Sequence, residues 1–125
     1  MVKEIDSINL HEQLQSGTDI RLVDIRTPAE MARGVIPQAS PLPMHLIPLR
    51  VSELPKDRGI VLYCHSGARS YHACSFLLQQ GFDKVLNLRG GITAWAQHGL
   101  EIVAPSSVQA VPGAASLPSA RVSPI

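Results

Sequence analysis

The residues best equipped for chemistry lie in one stretch, Tyr63-Cys64-His65-Ser66-Gly67-Ala68-Arg69-Ser70, where a cysteine follows an apolar run and precedes small residues and an arginine. A thiolate attacks soft centres readily, and its availability depends on surroundings that lower its pKa. A loop that curls around one sulfur must turn its backbone N–H groups inward. That takes tight dihedrals and close approach, and Gly67 supplies the freedom. Inward amides and the start of a following helix both stabilise negative charge on sulfur. Arg69, in the first helical turn, can add a fixed positive charge and a fork for an oxyanion. The competing reading makes Cys64 a small buried hydrophobe at a strand end, as most unpaired cysteines are.

The elements that must hold this loop follow from the apolar pattern. Residues 59–63 carry Ile60-Val61-Leu62-Tyr63, apolar on both faces as in a central parallel strand, which delivers Cys64 to its carboxyl end. A helix over 68–80 follows and stops at Gly81; then come a strand at 84–88 and a helix over 92–98 closed by Gly99. Upstream, 2–5 reads as a short strand and Ser7 as the cap of a helix over 8–15 that Gly17 stops. Residues 20–25 form a strand with Asp24 and Arg26 near its carboxyl end. Thr27, Pro28 and Glu30 make a capping box for a short helix ended by Gly34. Residues 39–42 are expected to be extended and 44–49 to form a helical turn around Pro48. This alternation predicts an α/β fold, a central, mostly parallel five-stranded sheet with helices on both faces. Ligands of such sheets bind at strand carboxyl ends, where Asp24, Arg26 and Cys64 all fall.

The 125 residues fit one domain, assigned to 1–103, followed by a Pro/Ala/Ser-rich, linker-like tail at 104–125. Eleven Lys and Arg against ten Asp and Glu, without a basic run, point away from nucleic acid and membrane surfaces as partners. No segment approaches the ~20 apolar residues of a spanning helix, and residues 1–6 lack the apolar stretch of an export signal. A cytoplasmic location is therefore expected. Two cysteines, Cys64 and Cys74, are too few for a disulfide framework. His11, His45, His72 and His98 have no ligand spacing, so no metal or cofactor is expected.

Four segments together resemble the rhodanese family. Cys64-His65-Ser66-Gly67-Ala68-Arg69-Ser70 looks like its C-x-x-G-x-R-S loop, and Asp24-Ile25-Arg26-Thr27-Pro28-Ala29-Glu30 like its D-x-R-x-x-x-E. Gly34-Val35-Ile36-Pro37-Gln38-Ala39 resembles G-H-I-P-G-A, and the stretch from Leu88 to Trp95 resembles L-x-G-G-x-x-x-W. They occur in family order across most of residues 5–103. Val35 departs from His and Gln38 from Gly, which puts the local turn in question rather than the sulfur chemistry. The resemblance implies a sulfurtransferase in which Cys64 takes the outer sulfur of thiosulfate or another persulfide donor. It then yields that sulfur to cyanide, a thiol or a protein acceptor, with residues 65–70 as the anion-binding loop. His65 and Ser66 stand where a Lys or second Arg is absent, so sulfur transfer is better supported than thiosulfate specificity.

The remaining residues have two readings each. Arg69 either touches substrate or forms an ion pair with Asp24 or Glu30. Asp24 is expected to orient Arg69 or the loop amides rather than exchange protons, and Glu30 to serve the capping box. Cys74 shares a helical spacing with Tyr71 and Leu77 and is expected in the core rather than as a resolving thiol. His65 is either a donor to a sulfonate or a solvated loop residue, and Trp95 is expected to pack on the sheet. Two other functions compete with sulfur transfer. One is a phosphatase or arsenate reductase of related fold, whose loop resembles C-x-x-x-x-x-R; here four residues separate Cys64 from Arg69. The other is a binding or regulatory module without turnover.

Overall fold

The computed structural model describes residues 1–105. Five strands, β1 (Lys3–Ile5), β2 (Ile20–Asp24), β3 (Ser40–Pro41), β4 (Gly59–Tyr63) and β5 (Val85–Leu88), lie in the order β1-β5-β4-β2-β3. Every neighbouring pair is parallel, so the sheet is wholly rather than mostly parallel. Between them run α1 (Ser7–Gln15), α2 (Pro28–Met31), α3 (Ile47–Arg50) and α4 (Ala68–Gln79), and α5 (Gly91–Gln97) follows β5.

Strand alternation divides the core into two layers. Ile60, Leu62 and Cys64 face one side, packed with Ala73, Cys74 and Leu77 of α4 and with Ile47 and Leu54. Val61 and Tyr63 face the other, packed with Leu10 of α1 and with Ile92 and Trp95 of α5. A strand with apolar residues on both faces demands this two-sided cover, because either face left open would expose large apolar area to water. The chain leaves β2 towards β3 in one direction and leaves β4 towards β5 in the other. This reversal opens a crevice at the carboxyl ends of β2 and β4, where such sheets hold ligands.

Local departures from expectation have physical reasons. Asp6, not Ser7, caps α1: its carboxylate accepts from the Asn9 amide at 2.8 Å, while the Ser7 hydroxyl is buried without a partner. The expected turn around Pro48 is longer and more helical, with α3 flanked by 3-10 turns at Met44–Leu46 and Val51–Glu53. Pro48 is tolerated because it sits in the first turn of α3, where its missing N–H has no intrahelical acceptor. Among the described residues, no helix is long and apolar enough to cross a membrane. Of the tail expected at 104–125, residues 106–125 lie outside the described residues.

The turn that carries Val35 and Gln38 is set by a backbone bridge and a left-handed residue. Val35 exchanges backbone hydrogen bonds of 2.8 and 2.9 Å with Val103, which fastens residue 103 beside the segment that follows α2. Gln38 takes φ +76, the left-handed conformation that a glycine adopts without strain. Left-handed backbone costs a side-chain-bearing residue about 1–2 kcal/mol, against the roughly 0.5–1 kcal/mol that glycine adds to unfolded-state entropy. Gln38→Gly should therefore stabilise the domain by about 0.5–1 kcal/mol, read as a raised melting temperature; a lowered one would mean the Gln38 side chain holds a contact that outweighs the strain.

Candidate active site

The sulfur of Cys64 is surrounded by hydrogen-bond donors. Gly67, with φ +105, turns the chain so that its own amide donates to Sγ at 3.1 Å, and α4 then begins at Ala68. The Ser70 amide, third in that helix, donates to Sγ at 3.4 Å, and the Ser70 hydroxyl also lies 3.4 Å away. No side chain caps α4 in the ordinary way, and the sulfur takes the acceptor position that a Ser or Asp would fill. Cys64 is 1% exposed, so the reading of a buried cysteine is right about burial. It is incomplete about chemistry. Burial pushes the thiol up, but the Ser70 hydroxyl and the amides of Ser70, Gly67 and Ser66 outweigh it and leave Cys64 below its ordinary value.

The loop's carbonyls are held on the opposite side. Ile92 N–H donates to Cys64 O at 3.0 Å and Thr93 N–H to His65 O at 3.1 Å, so the first turn of α5 collects two carbonyls that would otherwise face the crevice. This contact requires a residue without a side chain at 91. A Cβ on Gly91 would lie 2.5 Å from His65 O and 2.6 Å from Cys64 O. The double glycine before α5 thus serves the loop as well as the turn.

Arg69 forms a two-pronged ion pair with Glu30, Nη1 to Oε1 at 2.8 Å and Nη2 to Oε2 at 2.7 Å. Pairing with Arg69 holds the Glu30 carboxyl down at about 2 against the opposing effect of burial, helped by the Thr27 amide and hydroxyl. The capping box is present too, so Glu30 does both jobs expected of it or its partner. The Cys64 sulfur is also close enough to favour the charged form of Arg69, after the larger effect of Glu30.

Asp24 does not brace Arg69 or the loop amides. Residues 24 and 63 are register partners whose side chains share the face opposite Cys64, because side chains alternate along a strand. On that face Asp24 accepts from Arg26 Nε at 2.9 Å, from Arg26 Nη2 at 2.7 Å and from the Tyr63 hydroxyl at 2.7 Å. Arg26 also donates to Gly34 O at 2.7 Å, and Tyr63 Oη accepts from the Ile36 amide at 3.1 Å. Asp24 and Arg26 therefore fasten the segment 34–36 under the sheet rather than touch the sulfur.

His65, Ser66 and Ala68 are exposed on the loop, and the His65 ring lies 3.4 Å from the Thr93 hydroxyl. A cavity of about 420 Å³ beside the loop is lined by Arg26, Glu30, Arg33, His65 and Thr93, among others. Cys74 is fully buried in the core and pushed up to about 12, chiefly by burial, while Tyr71 at the same helical spacing is exposed. Trp95 packs in the core and donates to Glu101 O at 2.8 Å. One residue that sequence reasoning passes over, backed by Glu4, reaches the loop from behind. Asn87 donates to Gly67 O at 3.2 Å and to Glu4 Oε2 at 2.9 Å. An asparagine interrupting the apolar run Val85-Leu86-Asn87-Leu88 was the available signal, because a buried amide needs partners.

With this geometry in place, comparison with known proteins is specific. The rhodanese-like domain model matches residues 7–98. A sulfurtransferase of Allochromatium vinosum is 67% identical over 105 residues, covering 84% of this chain and 98% of its own. A rhodanese-like domain protein from Staphylococcus aureus superposes with a TM-score of 0.73 at 34% identity, over 80% of this chain and 97% of that one. A rhodanese-related protein from Thermoplasma volcanium gives a TM-score of 0.74 at 27% identity, over 81% and 97%. The chain belongs to the rhodanese-like family and, at that level, is a sulfurtransferase.

Two outcomes test the geometry. Gly91→Ala should destabilise the domain by about 1–3 kcal/mol, the usual cost of forcing atoms into a packed site, and raise the apparent pKa of Cys64, both measurable by thermal melting and by titrating thiolate absorbance. Glu30→Gln keeps an acceptor for the Thr27 amide but loses the charge facing Arg69. Because the folded carboxyl lies below its unfolded value of about 4.3, the stabilisation is complete above that pH and disappears as pH falls towards about 2. The melting-temperature gap between wild type and Glu30→Gln should close over that window, and a gap constant with pH would contradict the assignment.

Proposed function

We propose that Cys64 carries a sulfane sulfur as a persulfide from a donor to a thiophilic acceptor. The observation that supports this best is the set of donors on its sulfur, at 3.1 to 3.4 Å. In the first half-reaction the Cys64 thiolate attacks the outer sulfur of the donor. A new S–S bond forms, and the donor's own bond to that sulfur breaks. Its electron pair leaves with sulfite when the donor is thiosulfate, or with a thiolate when it is another persulfide. In the second, cyanide, a thiol or a protein cysteine attacks the outer sulfur, and Cys64 departs as the thiolate it was. Charge stays on or next to one sulfur throughout, so preorganised amides stabilise both half-reactions without moving.

The state of Arg69 bears on the donor. Its guanidinium is engaged by Glu30, and the loop has no second cation. A persulfide with a single sulfur anion suits this loop better than dianionic thiosulfate. The same pairing weighs against a phosphatase or arsenate reductase, which would need that fork for a tetrahedral oxyanion. A loop of four residues between Cys64 and Arg69 weighs the same way. A module without turnover would have no use for a thiol held below its ordinary value.

Intact mass after incubation with thiosulfate and, in parallel, with a small-molecule persulfide tests carrier and donor together. The wild type should gain ~32 Da, faster with the persulfide, and Cys64→Ser should gain nothing because the thiolate is the nucleophile. A gain that survives in Cys64→Ser excludes this residue as the carrier.

A further inference from the structure

We propose that Asn87, held by Glu4, is a positioning residue that sets the two donor-bearing residues Gly67 and Ser70 against the Cys64 sulfur. This rests on the sulfur-carrier reading only for the use to which the thiolate is put. The placement stands on geometry. Asn87 is 1% exposed, on the sheet face that also carries Cys64. One side of its amide donates to Gly67 O at 3.2 Å and to Glu4 Oε2 at 2.9 Å; the other, Oδ1, is in short contact with Ser70 Oγ. One side chain on β5 therefore grips both residues whose donors lie 3.1 to 3.4 Å from the sulfur.

The orientation of the amide follows from its neighbours. Turning it over would set Oδ1 against the Glu4 carboxylate and the Gly67 carbonyl, two acceptors that offer it no hydrogen. Oδ1 must face Ser70. The Ser70 hydroxyl has a single hydrogen and three acceptors within reach: Asn87 Oδ1, Gly67 O at 3.3 Å and Cys64 Sγ at 3.4 Å. While Cys64 is a neutral thiol, the amide oxygen is the strongest of the three, and the hydrogen lies on it. Held there, Ser70 keeps its backbone amide on Sγ at 3.4 Å, and Gly67, anchored through its carbonyl, keeps its own amide on Sγ at 3.1 Å. Asn87 thus fixes the residues whose amides stabilise the anionic sulfur. Glu4 is held in turn by Arg89 at 3.2 Å, so the assembly runs from the start of the chain to the loop. The charged groups around it are Glu4 and Arg89 behind Asn87, and the Arg69–Glu30 pair beside the loop.

The test is a pH titration of thiolate ultraviolet absorbance, each variant read against the same variant carrying Cys64→Ser. It needs neither a sulfur donor nor access of a reagent to the buried thiol. Asn87→Ala should raise the Cys64 midpoint by about one pH unit, the scale of one lost charge-assisted hydrogen bond. Asn87→Leu has nearly the same shape and buries no charge, so it fills the site should the smaller variant melt. It offers no partner to Gly67 O or to the Ser70 hydroxyl and should raise the midpoint at least as far. Ser70→Ala combined with Asn87→Ala should shift it by less than the sum of the two single changes, because the residues act together. A midpoint equal to wild type in either folded variant, or full additivity in the double variant, overturns the proposal. Wild type that accepts no sulfur while Asn87→Ala still shifts the titration would refute the carrier reading and leave this one intact.

Discussion

Everything at the crevice depends on one sulfur serving as the cap of a helix. The amino end of α4 needs an acceptor for its first amides, and the Cys64 side chain supplies it from the end of β4. The bargain is mutual: a helix terminus that is otherwise unsatisfied gains a partner, and a buried thiol gains a reason to ionise. Neither the strand nor the helix accomplishes this alone. The strand brings the sulfur to the edge of the sheet, and the left-handed turn at Gly67 aims the helix at it.

Keeping donors inward requires that acceptors be taken away. Peptide units in a tight loop carry both, and an inward carbonyl would repel the charge the amides stabilise. The first turn of α5 removes the carbonyls of Cys64 and His65, and Asn87 removes that of Gly67. Two consecutive elements, β5 and α5, thereby sort the loop's polarity. Close approach at Gly91 is what lets α5 come near enough to do so.

The opposite face of the sheet shows a second arrangement that leaves the sulfur untouched. Asp24, Arg26 and Tyr63 satisfy one another in the interior and pin residues 34 and 36. Buried charges of this kind are tolerable because each finds its partner at hydrogen-bonding distance. The adjacency of Tyr63 to Cys64 along the chain is no guide to its role, since neighbouring residues on a strand serve different layers.

Local pattern was enough to read the parallel strands, the capping box at Thr27 and the loop from Cys64 to Ser70, because each is written within a few residues by periodicity, a cap or a turn. Sequence alone leaves Arg69 between two carboxylates, and the fold selects Glu30, 39 positions away. Asp24 faces away from Cys64, contrary to the sequence reading, because the side of the sheet a residue faces depends on register with a neighbouring strand, which no short stretch encodes. Asn87 and Glu4 stand 83 positions apart and meet only because β1 and β5 pair at the sheet's edge. Chain chemistry names the atoms that can ionise or donate. Which donor reaches which sulfur is a matter of long-range pairing, whose partners share no local signal.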